Sequence, residues 1–263
     1  GTCVATGWYE DQSGDSQPLI ETLSGGTWTA QKAPLPAGAV ARKPNSSDLA
    51  TGLFLLKCPT AGNCVATGDY ASQDGGTQGL IDTLSGGTWT SQMAPLPSDA
   101  AANPVANLLA IACPAPGACL AAGRYTARDG RGRFLTETQS GGTWTPGTAP
   151  LPADAAGNQK WSISQVTGFT AAACTAPGTC VAAGSYFLTD NTVQGVIDTL
   201  SGGTWTSARA PVPAGAASAK QYIYLDSAAC PAAGDCLAVG GYKVQDGSSQ
   251  ALIETATPKA GSG

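Results

Sequence analysis

Residues 53–97 read LFLLKCPTAGNCVATGDYASQDGGTQGLIDTLSGGTWTSQMAPLP. Four short runs stand out: LFLLKC, CVATGDY, GLIDT and TWT. They are rich in Leu, Ile, Val, Thr, Trp and Tyr, and clusters of Gly, Pro, Asn, Asp and Ser separate them. That pattern reads as four β-strands joined by turns, with no stretch of helical period. The Gly-Gly before TWT suits a two-residue hairpin turn with positive φ at both positions.

The same stretch recurs along the chain. Cys3, Cys64, Cys119, Cys180 and Cys236 open CVATGWY, CVATGDY, CLAAGRY, CVAAGSY and CLAVGGY. Each is followed by a polar loop and then PLIET, GLIDT, FLTET, GVIDT or ALIET. SGGTWT follows four times, carrying Trp28, Trp89, Trp144 and Trp205, and APLP or APVP comes next. Four-stranded repeats of this length predict an all-β fold, a β-propeller of about five four-stranded blades. A β-helix needs shorter repeats, and an immunoglobulin-like sandwich does not repeat one sequence five times. We name the strands A (ending in cysteine), B (CVATG-x-Y), C (LIET) and D (TWT).

The blades are expected at about 1–36, 49–97, 106–152, 166–213 and 222–257, in one domain of residues 1–263 with a tail over 258–263. The chain starts at a B strand and ends after a C strand, so the first and last blades are expected to be incomplete. Starting in mid-motif at Gly1, it is expected to have lost an upstream segment. A larger ring completed by strands from elsewhere is the alternative. The B-strand cysteines are spaced 61, 55, 61 and 56 residues apart, and the C-strand acids alternate Glu21, Asp82, Glu137, Asp198, Glu254. The array therefore looks like a duplicated pair of blades. The longer connections, 37–53 and 153–168, are expected on one rim.

Nine cysteines fall into four C-x5-C pairs plus one: Cys58/Cys64, Cys113/Cys119, Cys174/Cys180 and Cys230/Cys236, with Cys3 unpaired. Cysteines flanking an A–B turn can meet disulfide geometry. Reduced thiols or a zinc site are the alternatives, and C-x5-C without histidine lacks the usual zinc spacing. Bridges over such short loops contribute about 2 kcal/mol each and imply an oxidising, secreted or extracellular location.

Among 263 residues there is no histidine, which removes Ser-His-Asp and Cys-His catalysis. The formal net charge is −5 and no basic stripe exists, so neither nucleic acid nor an anionic membrane surface is an expected partner. Apolar runs such as Leu53 to Leu56 are too short for membrane insertion. No metal and no cofactor is expected.

SGGTWT resembles the second half of the Asp-box turn of sialidase-like propellers, S-x-D-x-G-x-T-W. Gly25, Thr27 and Trp28 match, and Leu23 stands where the aspartate belongs. The whole pattern, C-P-x-x-G-x-C-V-A-x-G-x-Y … LIETLSGGTWT … APLP, is similar to the secreted, cysteine-bridged propeller repeats of actinobacteria. That resemblance implies an extracellular bacterial propeller and carries no particular activity.

Candidate ligand residues follow from framework repetition with loop variation. They are Trp8, Tyr9, Tyr70, Tyr125, Tyr186 and Tyr242 closing strand B, and Asp74, Asp129, Asp190 and Asp246 in the B–C loops. Plain solvated turns are the alternative. Arg124, Arg128, Arg131 and Arg133 form a basic spot suited to a sugar acid or an acidic protein. The SGGTWT tryptophans either stack on a sugar or pack between blades. The C-strand acids either converge on a cation or accept hydrogen bonds within each blade. The expected function is a non-catalytic, lectin-like module binding glycan or cell-surface polymer. Next come a subunit of an extracellular assembly whose missing strands a partner protein supplies, and then a glycosidase. No catalytic residue is expected.

Overall fold

The computed structural model describes residues 2–42, 51–156, 168–217, 221–232 and 234–256. Parts of the two longer connections and the tail over 258–263 lie outside the described residues. Within them every regular element is a β-strand. The first sheet holds β1 (Cys3–Glu10), β2 (Ser16–Ser24) and β3 (Thr27–Lys32). The second holds β4 (Gly52–Thr60), β5 (Asn63–Ala71), β6 (Thr77–Ser85) and β7 (Thr88–Met93). The third holds β8 (Ala106–Ala115), β9 (Ala118–Thr126), β10 (Gly132–Ser140) and β11 (Thr143–Thr148). The fourth holds β12 (Gly168–Ala176), β13 (Thr179–Phe187), β14 (Val193–Ser201) and β15 (Thr204–Arg209). The fifth holds β16 (Ile223–Ala232), β17 (Asp235–Lys243) and β18 (Ser249–Ala256).

Each sheet is an antiparallel meander in chain order, which is the propeller-like arrangement. The A strands β4, β8, β12 and β16 together line one cavity of about 270 Å³, with Leu56, Ile111, Ala172 and Ala228 among its walls.

Successive sheets pack face to face. Ile20 and Ala33 of the first meet Ala66, Tyr70 and Leu80 of the second. Val65 and Ile81 of the second meet Ala121, Tyr125 and Leu135 of the third. Ala122 and Phe134 of the third meet Ala182, Tyr186 and Val196 of the fourth. Val181, Ala183 and Ile197 of the fourth meet Ala238, Tyr242 and Leu252 of the fifth. Every sheet thus has a forward face and a rear face, set by the two-residue period of its strands.

The G of CVATG-x-Y has a steric cause. A Cβ on Gly68, Gly123, Gly184 or Gly240 would lie 1.9–2.0 Å from a carbonyl oxygen of the adjacent A strand. Each A strand shifts register beside this position, at Leu53/Leu55, Leu108/Ala110, Phe169/Ala171 and Leu225/Ser227. Such bulges bring backbone close to backbone, and only glycine leaves room.

The four C-x5-C pairs are disulfides across the A–B hairpins, with Cα–Cα distances of 4.0–4.1 Å. After each D strand the connection reaches forward to the next B–C loop. The N–H groups of Val40, Ala101, Ala156 and Ala217 donate to the carbonyls of Ala71, Thr126, Phe187 and Lys243.

Candidate functional site

The residues chosen from sequence as ligand contacts are mostly committed to the scaffold. Tyr70, Tyr125, Tyr186 and Tyr242 are buried on rear faces. The Tyr125 hydroxyl donates to Asp99 Oδ1 at 2.8 Å, and the Tyr186 hydroxyl to Asp154 Oδ1 at 2.8 Å. Arg133 and Arg209 each lie 3.0 Å from the second oxygen of those carboxylates. Burial pushes the Tyr125 phenol up to about 12. Tyr242 donates to Gln250. These rings are latches between sheets and offer no face to a ligand, which corrects the expectation.

Sequence reading missed Asp99 and Asp154. Their signal was there: PSDA and PADA follow two copies of APLP, where the other copies have PAGA.

The loop aspartates are exposed, but three of them close turns. Asp129, Asp190 and Asp246 accept the N–H of Arg131, Thr192 and Ser248 at 3.0, 2.9 and 2.8 Å. Asp11, not singled out from sequence, does the same for Ser13. The backbone N–H of Arg131 lowers the Asp129 carboxyl, and the hydroxyls of Thr192 and Ser248 lower Asp190 and Asp246. Asp74 is exposed in its loop.

The basic spot is engaged within the scaffold. Arg133 pairs with Asp99 and Asp129, and Arg131 lies near Asp129. Arg128 donates to the Ser98 carbonyl. Arg124 donates to Asn107 Oδ1, and Asn107 donates to the buried Asp69 at 3.0 Å. Burial pushes the Asp69 carboxyl upward, opposed by the Asn107 amide, the Leu108 N–H and the Arg124 charge.

The C-strand acids do not converge. Asp82, Glu137, Asp198 and Glu254 are cross-strand neighbours of Ala66, Ala121, Ala182 and Ala238, so each is sealed in a different rear face. Asp82 and Asp198 face Ser91 and Ser207 on the neighbouring D strand, within their own sheets, while the Glu137 carboxylate has no hydrogen-bond partner among the described residues. Burial pushes them up to about 7, 8 and 8, with Ser91 and Ser207 nearby opposing the shift at Asp82 and Asp198. Among the described residues no group of acids and thiols could hold a metal. Trp144 packs between sheets as the packing alternative had it, while Trp28 stands exposed.

What the structure does present is two unfilled faces. On the forward face of the fifth sheet, Ile253 is 70% exposed. Its counterparts Ile20, Ile81, Thr136 and Ile197 are 0%, 0%, 1% and 7% exposed. Leu237 and Val239 are exposed beside it, where Val65, Thr67, Leu120, Ala122, Val181 and Ala183 are buried. On the rear face of the first sheet, Tyr9 and Trp28 are exposed, in contrast to Tyr70, Tyr125, Tyr186 and Trp144. Exposed apolar patches of this kind mark interaction surfaces. Sequence could not single out Ile253, because the residue itself is the same as its buried counterparts. Only the missing neighbour differs.

No family model matches the chain, and no curated protein does. Several solved structures are similar. A protein of unknown function from Dyadobacter fermentans is 10% identical, with 97% of this chain and 73% of that one covered and a TM-score of 0.52. The Trypanosoma rangeli sialidase is 13% identical, with 99% of this chain covered and a TM-score of 0.49; the chain spans 42% of the sialidase. A thermostable family-43 glycoside hydrolase is 10% identical, with 99% of this chain and 96% of that one covered and a TM-score of 0.40.

The expectation of a non-catalytic, lectin-like module is corrected: most of the tyrosines it rested on are buried between sheets. The named proteins are a sialidase and a glycoside hydrolase, not lectins. At such identities the likeness is one of fold and gives this chain no activity. Most of the glycan contacts that supported the lectin reading are also residues found buried or closing turns, and Trp8, Tyr9 and Asp74 are the exposed ones.

Proposed function

We propose that the chain is an extracellular interaction module: a propeller-like array of β-sheets whose exposed apolar face on the fifth sheet takes up β-sheet from a partner protein. The carrying observation is Ile253, 70% exposed in a position that is sealed in every other sheet. Four internal interfaces give the chemistry of the missing occupant. It is a β-sheet face of small residues, Leu and Tyr, with at most one carboxyl, as Ala66, Tyr70, Leu80 and Asp82 present to the first sheet. Four disulfides favour an oxidising location outside the cytoplasm. A net charge of −5 favours a protein partner over nucleic acid.

A photo-crosslinking residue placed at 253 in the full protein, produced in its native host, tests this reading. The expected result is a defined protein adduct from position 253 and none from a control at the buried position 81. An intramolecular crosslink from 253 to the first sheet would mean that the array closes on itself, and the reading would fall.

A further inference from the structure

The interface between the second and third sheets holds buried polar atoms that nothing in it satisfies. Both sheets are complete in four strands, and each packs against a further sheet on both of its faces. On the rear face of the third sheet Gln139 is 6% exposed, and its Oε1 has no hydrogen-bond partner among the described residues. Trp144, its cross-strand neighbour, is buried as well and keeps its Nε1–H without a partner among them. Two residues back along the same face, Glu137 stands opposite Pro146 with both carboxylate oxygens in the same state. Buried donors and acceptors are seldom left unpaired in native proteins unless something else comes to meet them.

Gln139 also breaks the repeat. The other copies place leucine here: Leu23 in the first, Leu84 in the second and Leu200 in the fourth. Leu200 packs with Leu120 and Cys180 and fills the interface between the third and fourth sheets. The matching residues one interface earlier are Val65, Cys119 and Gln139. There a cleft of about 250 Å³ remains, and all three are among its walls. Leucine packs this position in the neighbouring interface, whereas glutamine sets a carboxamide in the wall of a cleft.

The cleft opens between the A–B turns of the two sheets, at Pro59 and Pro116. Val65, Leu84 and Cys119 give it an apolar side, and Thr83 and Gln92 stand among its neutral polar walls. Among the described residues that line it none is charged. An ion entering it would lose its water without gaining a counter-charge. The volume lies just below the range of roughly 300 to 1,000 Å³ that takes drug-sized molecules, so the occupant is small.

We propose that this cleft is a binding site for a small neutral carboxamide with a short apolar body. The amide lies edge to edge with Gln139, its N–H donating to Oε1 and its carbonyl accepting from Nε2. A carboxamide carries donor and acceptor on separate atoms, as Gln139 does, and so makes both bonds. An alcohol carries both on one oxygen and reaches only one of them. The apolar body lies against Val65 and Leu84. The site sits inside the array and stands whether or not a partner covers the fifth sheet.

The test uses the full protein with ¹⁵N-labelled tryptophan. Butyramide is added while the indole N–H signals are followed by nuclear magnetic resonance, and Trp144→Phe identifies the signal of Trp144. That signal should shift and saturate, with a midpoint of roughly 1–10 mM. The five other indole signals should stay in place. Butyrate and butan-1-ol, of similar size, should bind at least roughly ten-fold more weakly.

Gln139→Leu installs the residue of the other copies. It should abolish the butyramide shift at a second reporter, the Thr83 amide, and raise the melting temperature of the free protein, because an unsatisfied polar group gives way to an apolar one of similar size. An unchanged or lower melting temperature would mean that Oε1 is satisfied within the fold, by water or by Trp144, and would overturn the proposal. So would the lack of a saturable shift with butyramide, equal binding of butan-1-ol or butyrate, or a butyramide response that survives Gln139→Leu.

Discussion

The forward faces of the second and fifth sheets carry nearly the same residues and meet opposite fates. Val65 and Ile81 are sealed against the third sheet, while Leu237 and Ile253 face solvent. The rear faces repeat the contrast, with Tyr125 latched to Asp99 and Tyr9 exposed. Burial in this molecule is therefore a property of the neighbour and not of the residue. A repeat protein of this kind gains stability from the interfaces between units, so an end unit is weaker by the interface it lacks.

The largest break in this comparison should come from glycine. Gly123→Val puts side-chain atoms where an A-strand carbonyl already sits, 2.0 Å from the Cβ position. It should cost about 3 kcal/mol or more and leave little folded protein. Gly7→Val, with open space around it, should change urea stability by no more than about 0.5 kcal/mol. Comparable losses for the two would mean that β1 is not open.

Next in size is the isoleucine pair. Ile81→Ala should cost about 2–5 kcal/mol in chemical denaturation, and Ile253→Ala close to nothing. An equal loss at Ile253 would place a neighbour over the fifth sheet.

The sealed acids sharpen the comparison through pH. Their folded pKa values stand above the unfolded ones, at about 7 for Asp82 and about 8 for Glu137 and Asp198. The folded array therefore holds protons that the unfolded chain has released. Stability from these groups is full below about pH 4, where both states are protonated, and is lost as pH rises through about 7 to 8. The melting temperature should decline from pH 5 to pH 8.5. Asp198→Asn should flatten that decline. A melting temperature independent of pH over this range would show that the acids are solvated.

The smallest effect belongs to the bridges. Cys58→Ser with Cys64→Ser should cost about 2 kcal/mol. Cys3→Ser should leave the melting temperature of the protein alone unchanged.

Much of this was legible beforehand. Alternating apolar runs, turn glycines and the C-x5-C spacing carry the all-β meander and the four bridges, because those signals act within one hairpin. The site was far less legible. Tyr125 and Asp129 looked like rim contacts because they border a variable loop. Yet the tyrosine turns inward to a partner on the connection that leaves the preceding sheet, and the aspartate turns back to its own backbone. Asp99 is distant in sequence from Tyr125, so only the packing of sheets brings them together. The exposed Ile253 carried no sequence signal at all, since its copies are buried.

Each of the four bridges joins cysteines only six residues apart, and none crosses from one sheet to another. Eight cysteines paired at random have 105 possible connectivities. Here the correct partner is in each case the next cysteine to emerge during synthesis. Oxidation can keep pace with a growing chain, each hairpin being riveted before the following one exists, with the free Cys3 the thiol that competes.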